Sequence, residues 1–280
     1  LVKDGERDPS YVELVESWRL FSDQVTICVP LSVGCPNRCS MCDLGAYFGG
    51  DLAPQQILHL LNTNFIQNVD IPIKDFKSKL KIYLLGGGDA LLYKNLGILI
   101  DLLLENFPNA QQIYSSIGLK NRKVFDELLK RAAVSDRVGF QFSLCSLDSK
   151  KREAFVVSDY PKLTVDECIE WANEFYRVTK RKAHLSIFID REDKVEDILS
   201  TAKDKLSPNA VHISLTTLSP SSLPYSKVGA DISVYNETLN GLLASGYSAH
   251  ICTNDIDPEN SVSCGVMEDM VREGNRTFYK

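Results

Sequence analysis

The sequence has no apolar run approaching the roughly 20 residues that a membrane-crossing helix needs. It has no charged-then-apolar leader either, opening instead on the polar stretch Lys3-Asp4-Gly5-Glu6-Arg7-Asp8, which argues against a secretory signal. Internal repeats and low-complexity blocks are missing. So is any excess of positive charge: 31 basic residues against 37 acidic ones leave a net charge of −6. That argues against a broad basic face for nucleic acid, while leaving room for a local patch. The four histidines, His59, His184, His212 and His250, show no metal-ligand spacing and read as surface or satisfied core residues. Eight cysteines in 280 residues do not make a secreted disulfide framework, and a tight thiolate group fits a reducing compartment better. The expectation is a soluble cytoplasmic protein.

What is present is ordinary globular composition, 44% hydrophobic and 24% charged, in a chain long enough for one large α/β domain. Strand-like runs at Val25–Leu31, Lys81–Leu85, Gln112–Ser116, Val138–Leu144, His184–Ile189, Val211–Leu218 and Ser248–Thr253 alternate with helix-period segments. The helices are expected at Leu52–Leu61, opened by Asp51 with Pro54 in the first turn, then Leu96–Phe107, Lys123–Ala132, Thr164–Val178 with a Thr164-x-x-Glu167 capping box, Val195–Ala202 and Asn236–Ser245. Such alternation implies parallel βαβ units. About six units are too few for a closed eight-fold barrel. The expected fold is therefore α/β, a partial (β/α)6 TIM-like barrel with its active site at the C-terminal strand ends, the alternative being a flat doubly wound sheet. The expected division is an N-terminal extension over 1–24, the barrel over 25–253 and a C-terminal segment over 254–280.

The most informative segment is Gly34-Cys35-Pro36-Asn37-Arg38-Cys39-Ser40-Met41-Cys42. Three thiolates spaced CxxxCxxC can hold three corners of a 4Fe–4S cube and leave the fourth iron open to a ligand. Structural zinc sites and ordinary ferredoxin clusters use four protein ligands, so a three-cysteine loop reads as reactive. A zinc knuckle with a distant fourth ligand, or chance clustering of buried cysteines, is the alternative. The spacing resembles the signature of the radical S-adenosylmethionine (SAM) superfamily. That resemblance implies a 4Fe–4S cluster on Cys35, Cys39 and Cys42 whose open iron binds SAM and yields a 5′-deoxyadenosyl radical on reduction.

Leu84-Leu85-Gly86-Gly87-Gly88-Asp89 follows a strand and precedes a helix. Glycines there let a ligand approach the backbone, although tight turns produce such runs too. It resembles the radical-SAM element that contacts the SAM amino group. The family version usually ends in Glu-Pro, and Asp89-Ala90 keeps the carboxylate one methylene shorter.

Two further cysteines narrow the resemblance. Cys28 lies seven residues before Cys35, and Cys264 sits in Ser263-Cys264-Gly265. Both positions are similar to those in the RlmN/Cfr methyltransferases, which act on adenine carbons of RNA. Val15-Glu16-Ser17 resembles the family's Val-Glu segment, with one residue less before Cys28. Tyr114-Ser115-Ser116-Ile117-Gly118 resembles its Ser-Thr-Ser-Gly strand end. Phe142-Ser143-Leu144-Cys145 resembles its Ser-Leu-His element, with Cys145 in place of His. Ile213–Pro220 resembles its Ile-Asn-Leu-Ile-Pro strand, with Ser219 in place of Asn. The resemblance covers roughly residues 13–267. It implies that Cys264 carries a methyl group from one SAM to an sp2 ring carbon. Cys28 then removes the ring proton, Glu16 assists proton movement, and Gly86, Gly87, Gly88, Asp89, Ser115, Ser143, Leu144, Cys145 and Ser219 bind SAM. A reductant protein such as flavodoxin or ferredoxin is implied as partner. Read residue by residue, Cys168, beside Ile169, Ala172 and Phe175, is a packing residue, and Cys145 and Cys252 read as strand-end or core thiols.

The departures bear on substrate. The RNA enzymes carry an N-terminal helical domain for which this chain offers no room, and basic residues where Cys252–Asn260 is acidic. Phosphate contacts supply most nucleic-acid affinity. The Lys-rich segments Lys120–Lys123, Lys150–Arg152 and Lys180–Lys182 read as solvated turns. The substrate is thus an RNA base or a small heteroaromatic molecule. Two alternatives stay open: a radical-SAM enzyme of another reaction type, with Cys28 and Cys264 structural, and a metal-stabilised binding module.

Overall fold

The computed structural model describes residues 15–18, 25–62, 80–218 and 229–252, with the first four as backbone only. Ten strands and seven α-helices follow in chain order. The strands are β1 (Val15–Trp18), β2 (Val25–Val29), β3 (Ser32–Gly34), β4 (Phe48–Asp51), β5 (Leu80–Leu84), β6 (Gln111–Ser116), β7 (Val138–Cys145), β8 (Ala183–Ile187), β9 (Val211–Thr216) and β10 (Ser248–Cys252). The helices are α1 (Pro54–Leu60), α2 (Leu96–Asn106), α3 (Arg122–Val134), α4 (Ser149–Phe155), α5 (Val165–Thr179), α6 (Val195–Lys205) and α7 (Ile232–Ala244). One sheet takes the order β1-β2-β5-β6-β7-β8-β9-β10. The β2–β5, β5–β6, β7–β8, β8–β9 and β9–β10 pairs are parallel, and β1 adds antiparallel to β2. No described helix is long and apolar enough to cross a membrane.

The chain forms two compact units. The first comprises Leu1–Pro36, Leu44–Ser115 and Asn121–Phe140. Its strands alternate: in β5, Leu80, Ile82 and Leu84 are buried while Lys81 and Tyr83 are half-buried, as a strand with one apolar face must be. Helices α2 and α3 are tied together by Arg131, whose guanidinium grips Asp101 through two bonds of 2.8 and 2.7 Å. Helix α3 starts where the Asn121 side chain accepts the Val124 amide, at 3.3 Å. Helix α1 departs from expectation. Asp51 does not cap it, because Asp51 pairs with Ser32 in the β3–β4 hairpin. Instead the Gln56 side chain accepts the Ala53 amide at 2.8 Å, with Pro54 at the first helical position.

The second unit comprises Asn37–Asp43, Ser116–Lys120 and Gln141–Lys280. In β8 and β9, Ala183, Leu185, Ile187, Val211, Ile213 and Leu215 are buried and alternate with His184, Ser186, His212, Ser214 and Thr216. The capping box at Thr164 and Glu167 forms as the sequence predicts. Cys168 is fully buried with Ile169, Ala172 and Phe175, which confirms its packing role. Helix α4 was not expected. Its segment reads as a charged turn, yet Asp148 caps it through the Lys151 amide at 2.8 Å.

Candidate functional site

The cysteine loop is positioned by its backbone. In the first unit Gly34 has φ +67°, and a Cβ there would overlap the Tyr47 carbonyl. Glycine is the residue that meets both demands. The Cys35 amide then donates to the carbonyls of Leu44 and Tyr47 at 3.0 and 2.9 Å. In the second unit the Cys42 amide donates to the Cys39 carbonyl at 3.1 Å. The loop is also bound to the end of α4: the Arg38 amide donates to Val157, the Ser40 amide to Phe155, both at 2.9 Å, and the Ser40 hydroxyl to Ala154 at 2.7 Å. The side chain of Asn37 is buried. Its Oδ1 accepts the Ser158 hydroxyl at 2.6 Å, while its Nδ2 has no hydrogen-bond partner among the described residues. Cys35, Cys39 and Cys42 are all half-buried.

The glycine segment supports the same loop. In the first unit the Leu31 and Ser32 amides donate to the Gly87 carbonyl at 2.7 and 3.3 Å. A Cβ on Gly87 would overlap the Ser32 carbonyl and stand 2.7 Å from that of Gly34; one on Gly88 would stand 2.7 Å from the Ser32 hydroxyl. The glycines are thus required where β5's end packs on the chain entering Cys35, a role that ligand approach does not capture. Asp89 is buried, and its Oδ1 accepts the Leu91 amide at 2.8 Å. The Ala90 amide donates to the Ser115 carbonyl at 3.0 Å, joining the acid-bearing turn to the end of β6.

Cys28 alternates with the fully buried Ile27 and Val29, so its half-buried thiol lies on the opposite, polar face of β2. Register places it beside Tyr83, then Ile113, with Ser115 two residues further on β6. The backbone register puts Val15 opposite Cys28 and Glu16 opposite Ile27; the side chain of Glu16 is not among the described ones. Cys264 and Ser219 lie outside the described residues.

In the second unit Ser143 is half-buried, while the Leu144 side chain is fully buried, so Leu144 offers a ligand only its main chain. Cys145 ends β7 at a bulge with φ +66°. Its buried thiol donates to the Ser143 carbonyl at 3.4 Å. Burial pushes the thiol up to about 12, Arg152 pulls it down, and Cys42 and Cys168 push it up again. Cys145 is therefore a neutral thiol at neutral pH, not a nucleophile. The expectation for Lys150–Arg152 needs correcting, because Arg152 is buried and Lys151 is held by Asp190 at 2.9 Å and Asp193 at 2.5 Å.

Sequence reasoning missed a row of imidazoles. His184 and His212 pair across β8–β9, with ring centroids 5.0 Å apart; His212 and His250 stack at 4.9 Å and share a 2.7 Å hydrogen bond. Chain spacing could not reveal it. The period-two pattern of His184-x-Ser186, His212-x-Ser214-x-Thr216 and Ser248-x-His250 was the available signal for one polar sheet face.

Among the described residues no three His, Cys, Asp or Glu side chains are grouped to hold a single metal ion. A cubane takes each thiolate at a different corner. The CxxxCxxC thiols, with the orphaned Asn37 donor in the same loop, have the chemistry for a sulfide-rich anionic group.

The fold is α/β, a mostly parallel sheet, and is similar to that of a solved radical-SAM methyltransferase. A crystal structure of a radical SAM methyltransferase from Sphaerobacter thermophilus matches with a TM-score of 0.67 over 91% of this chain and 72% of that one, at 19% identity. Among individual proteins, the chain is similar to the probable dual-specificity RNA methyltransferase RlmN of Fervidobacterium nodosum, 26% identical over 213 residues. That alignment takes in 74% of this chain and 58% of the relative, so the chain spans less than two thirds of the RlmN protein it matches. No protein-family model matches the sequence.

Proposed function

We propose that the chain is a radical-SAM methyltransferase that methylates an sp2 carbon of a nucleobase, or of a similar heteroaromatic molecule, through a methyl group carried on Cys264. Cys35, Cys39 and Cys42 would hold the 4Fe–4S cluster, with SAM bound at its open iron; when bound, these supply the radical that activates the methyl carrier. Similarity to an RNA-modifying enzyme favours an RNA base as substrate, and a small reductant protein would supply electrons.

The observation that carries the reading is the placement of Cys28. It lies on the polar face of the strand that leads into the cysteine loop, half-buried, while its neighbours Ile27 and Val29 are fully buried. A packing cysteine would belong on the other face. From there its thiolate takes the proton from the ring carbon and can close a disulfide with Cys264 when the adduct collapses. Asp89 and Ser115, joined through Ala90, offer a carboxylate and a hydroxyl for the amino and ribose groups of SAM.

Cys28→Ala tests the proposal. Anaerobically prepared protein, incubated with SAM, reductant and total RNA, should accumulate a covalent protein–substrate adduct, and digestion and mass spectrometry would identify the base. Wild-type protein that acquires no methyl group on Cys264, with no adduct in the variant, would overturn the proposal in favour of a radical-SAM reaction of another type or a metal-stabilised binding module.

A further inference from the structure

The side chain of Arg152 is 1% exposed. Only one of its three nitrogens is bonded: Nη2 donates to the Ile117 carbonyl at 2.8 Å and lies 3.8 Å from Cys168 Sγ. Among the described residues Nε and Nη1 have no hydrogen-bond partner. The nearest carboxylate, Glu153, stands 3.7 Å from Nη1, outside hydrogen-bond reach. It is 59% exposed and bonded to Lys162 at 2.5 Å. A desolvated guanidinium so poorly matched is destabilising, and buried cations are normally paired. The described residues leave this one without a close anion.

The surroundings say which anion is missing. Arg152 lies on α4, whose end binds Arg38 and Ser40 of the cysteine loop. Ile117, which accepts its one good bond, packs with Met41 on the apolar group of Cys145, Phe155 and Val156. Arg152 and Cys42 both act electrostatically on Cys145, in opposite directions. All these residues belong to the second unit. The charge is therefore carried by the helix whose end binds the stretch containing Cys39 and Cys42.

We propose that Arg152 is a positioning residue for the iron–sulfur centre: its buried guanidinium is the counter-charge to the anionic thiolate set and favours the reduced state. The inference rests on the function proposed above. A cluster held by three thiolates is anionic and gains one more negative charge on reduction. Net charge and burial set such potentials, and a nearby desolvated cation stabilises the more negative state. Arg152 touches neither substrate nor SAM in this scheme. It acts through the loop.

Arg152→Met and Arg152→Lys separate this from a role in holding Ile117. The full chain is measured in two forms: apo protein by thermal unfolding, and anaerobically reconstituted protein by EPR-monitored redox titration. If the charge is uncompensated without the cluster, apo Arg152→Met melts at or above the wild-type temperature. In the reconstituted form its reduction equilibrium shifts about tenfold toward the oxidised cluster, about 59 mV for one electron. Arg152→Lys, which keeps the charge, retains most of the wild-type potential. A potential unmoved in Arg152→Met, or moved equally in both variants, overturns the inference, as does an apo Arg152→Met that melts below wild type. Wild-type protein that takes up no iron–sulfur cluster overturns the functional reading along with it.

Discussion

Gly87→Ala probes the packing that places the cysteine loop. The new methyl would overlap the Ser32 carbonyl and stand 2.7 Å from the Gly34 carbonyl. Overpacking typically costs about 1–3 kcal/mol. Both obstacles are backbone atoms, so neither yields by a rotamer change and the cost should be about 3 kcal/mol. For a chain of this size that lowers the melting temperature by about 6 °C. Gly246→Ala is the control. It has φ +85° with nothing within 4 Å of the added carbon, so it feels only the left-handed strain of about 1–2 kcal/mol. Thermal unfolding of the apo proteins ranks them. Iron content after anaerobic reconstitution then asks whether the displaced Ser32–Gly34 segment misplaces Cys35: Gly87→Ala should load less iron than wild type, and Gly246→Ala as much. A Gly87→Ala protein as stable as the control, with full iron, refutes the packing argument.

Three further outcomes are expected. The Cys145 thiol, near 9.0 when unfolded and about 12 when folded, binds its proton more tightly in the native state, so its contribution is complete below pH 9 and is lost as pH rises toward 12, at about 1.4 kcal/mol per unit; urea unfolding across that window should slope downward for wild type and less so for Cys145→Ser. Thr164→Ala removes the cap of α5 and should cost about 1 kcal/mol by urea unfolding, with Thr164→Ser restoring most of it. Arg38→Ala deletes an ion pair whose partners are 60% and 75% exposed; stability should change by less than about 0.5 kcal/mol, and iron loading should be unchanged because the Arg38 amide, not its side chain, binds Val157.

The parallel strands were legible because their apolar residues come in short runs between helix-period segments. Val138–Leu144 and Gln112–Ser116 each fall within one residue of the observed strands. The α5 capping box was legible because Thr and Glu three apart satisfy two amides reciprocally. Elements fixed by tertiary partners were not. The β3–β4 hairpin is three and four residues long and contains Gly34, Gly49 and Gly50, which local propensity assigns to a loop. The site divides the same way. The cysteine loop and Gly86–Asp89 announce themselves by spacing. The sense of the glycines, which make room for the backbone of Ser32 and Gly34, depends on a neighbour more than 50 positions away in the chain and appears only in the fold.

Helix α4 shows what such a miss conceals. Its sequence, Ser-Lys-Lys-Arg-Glu-Ala-Phe, has four charges in seven residues, and on composition alone it belongs in solvent. Yet Lys151 is committed to two aspartates, Arg152 is drawn inside, and the helix's last residues with Val157 supply carbonyls to Arg38 and Ser40. A solvated turn could not supply them, because those carbonyls need a fixed position to order a loop of half-buried thiols. The charges on α4 thus do two kinds of work. The outer ones bind the helix to its own unit, and the inner one, Arg152, has two nitrogens without a hydrogen-bond partner among the described residues. A buried cation on the helix whose end binds Arg38 and Ser40 links this helix, unnoticed in the sequence, to the cysteine loop.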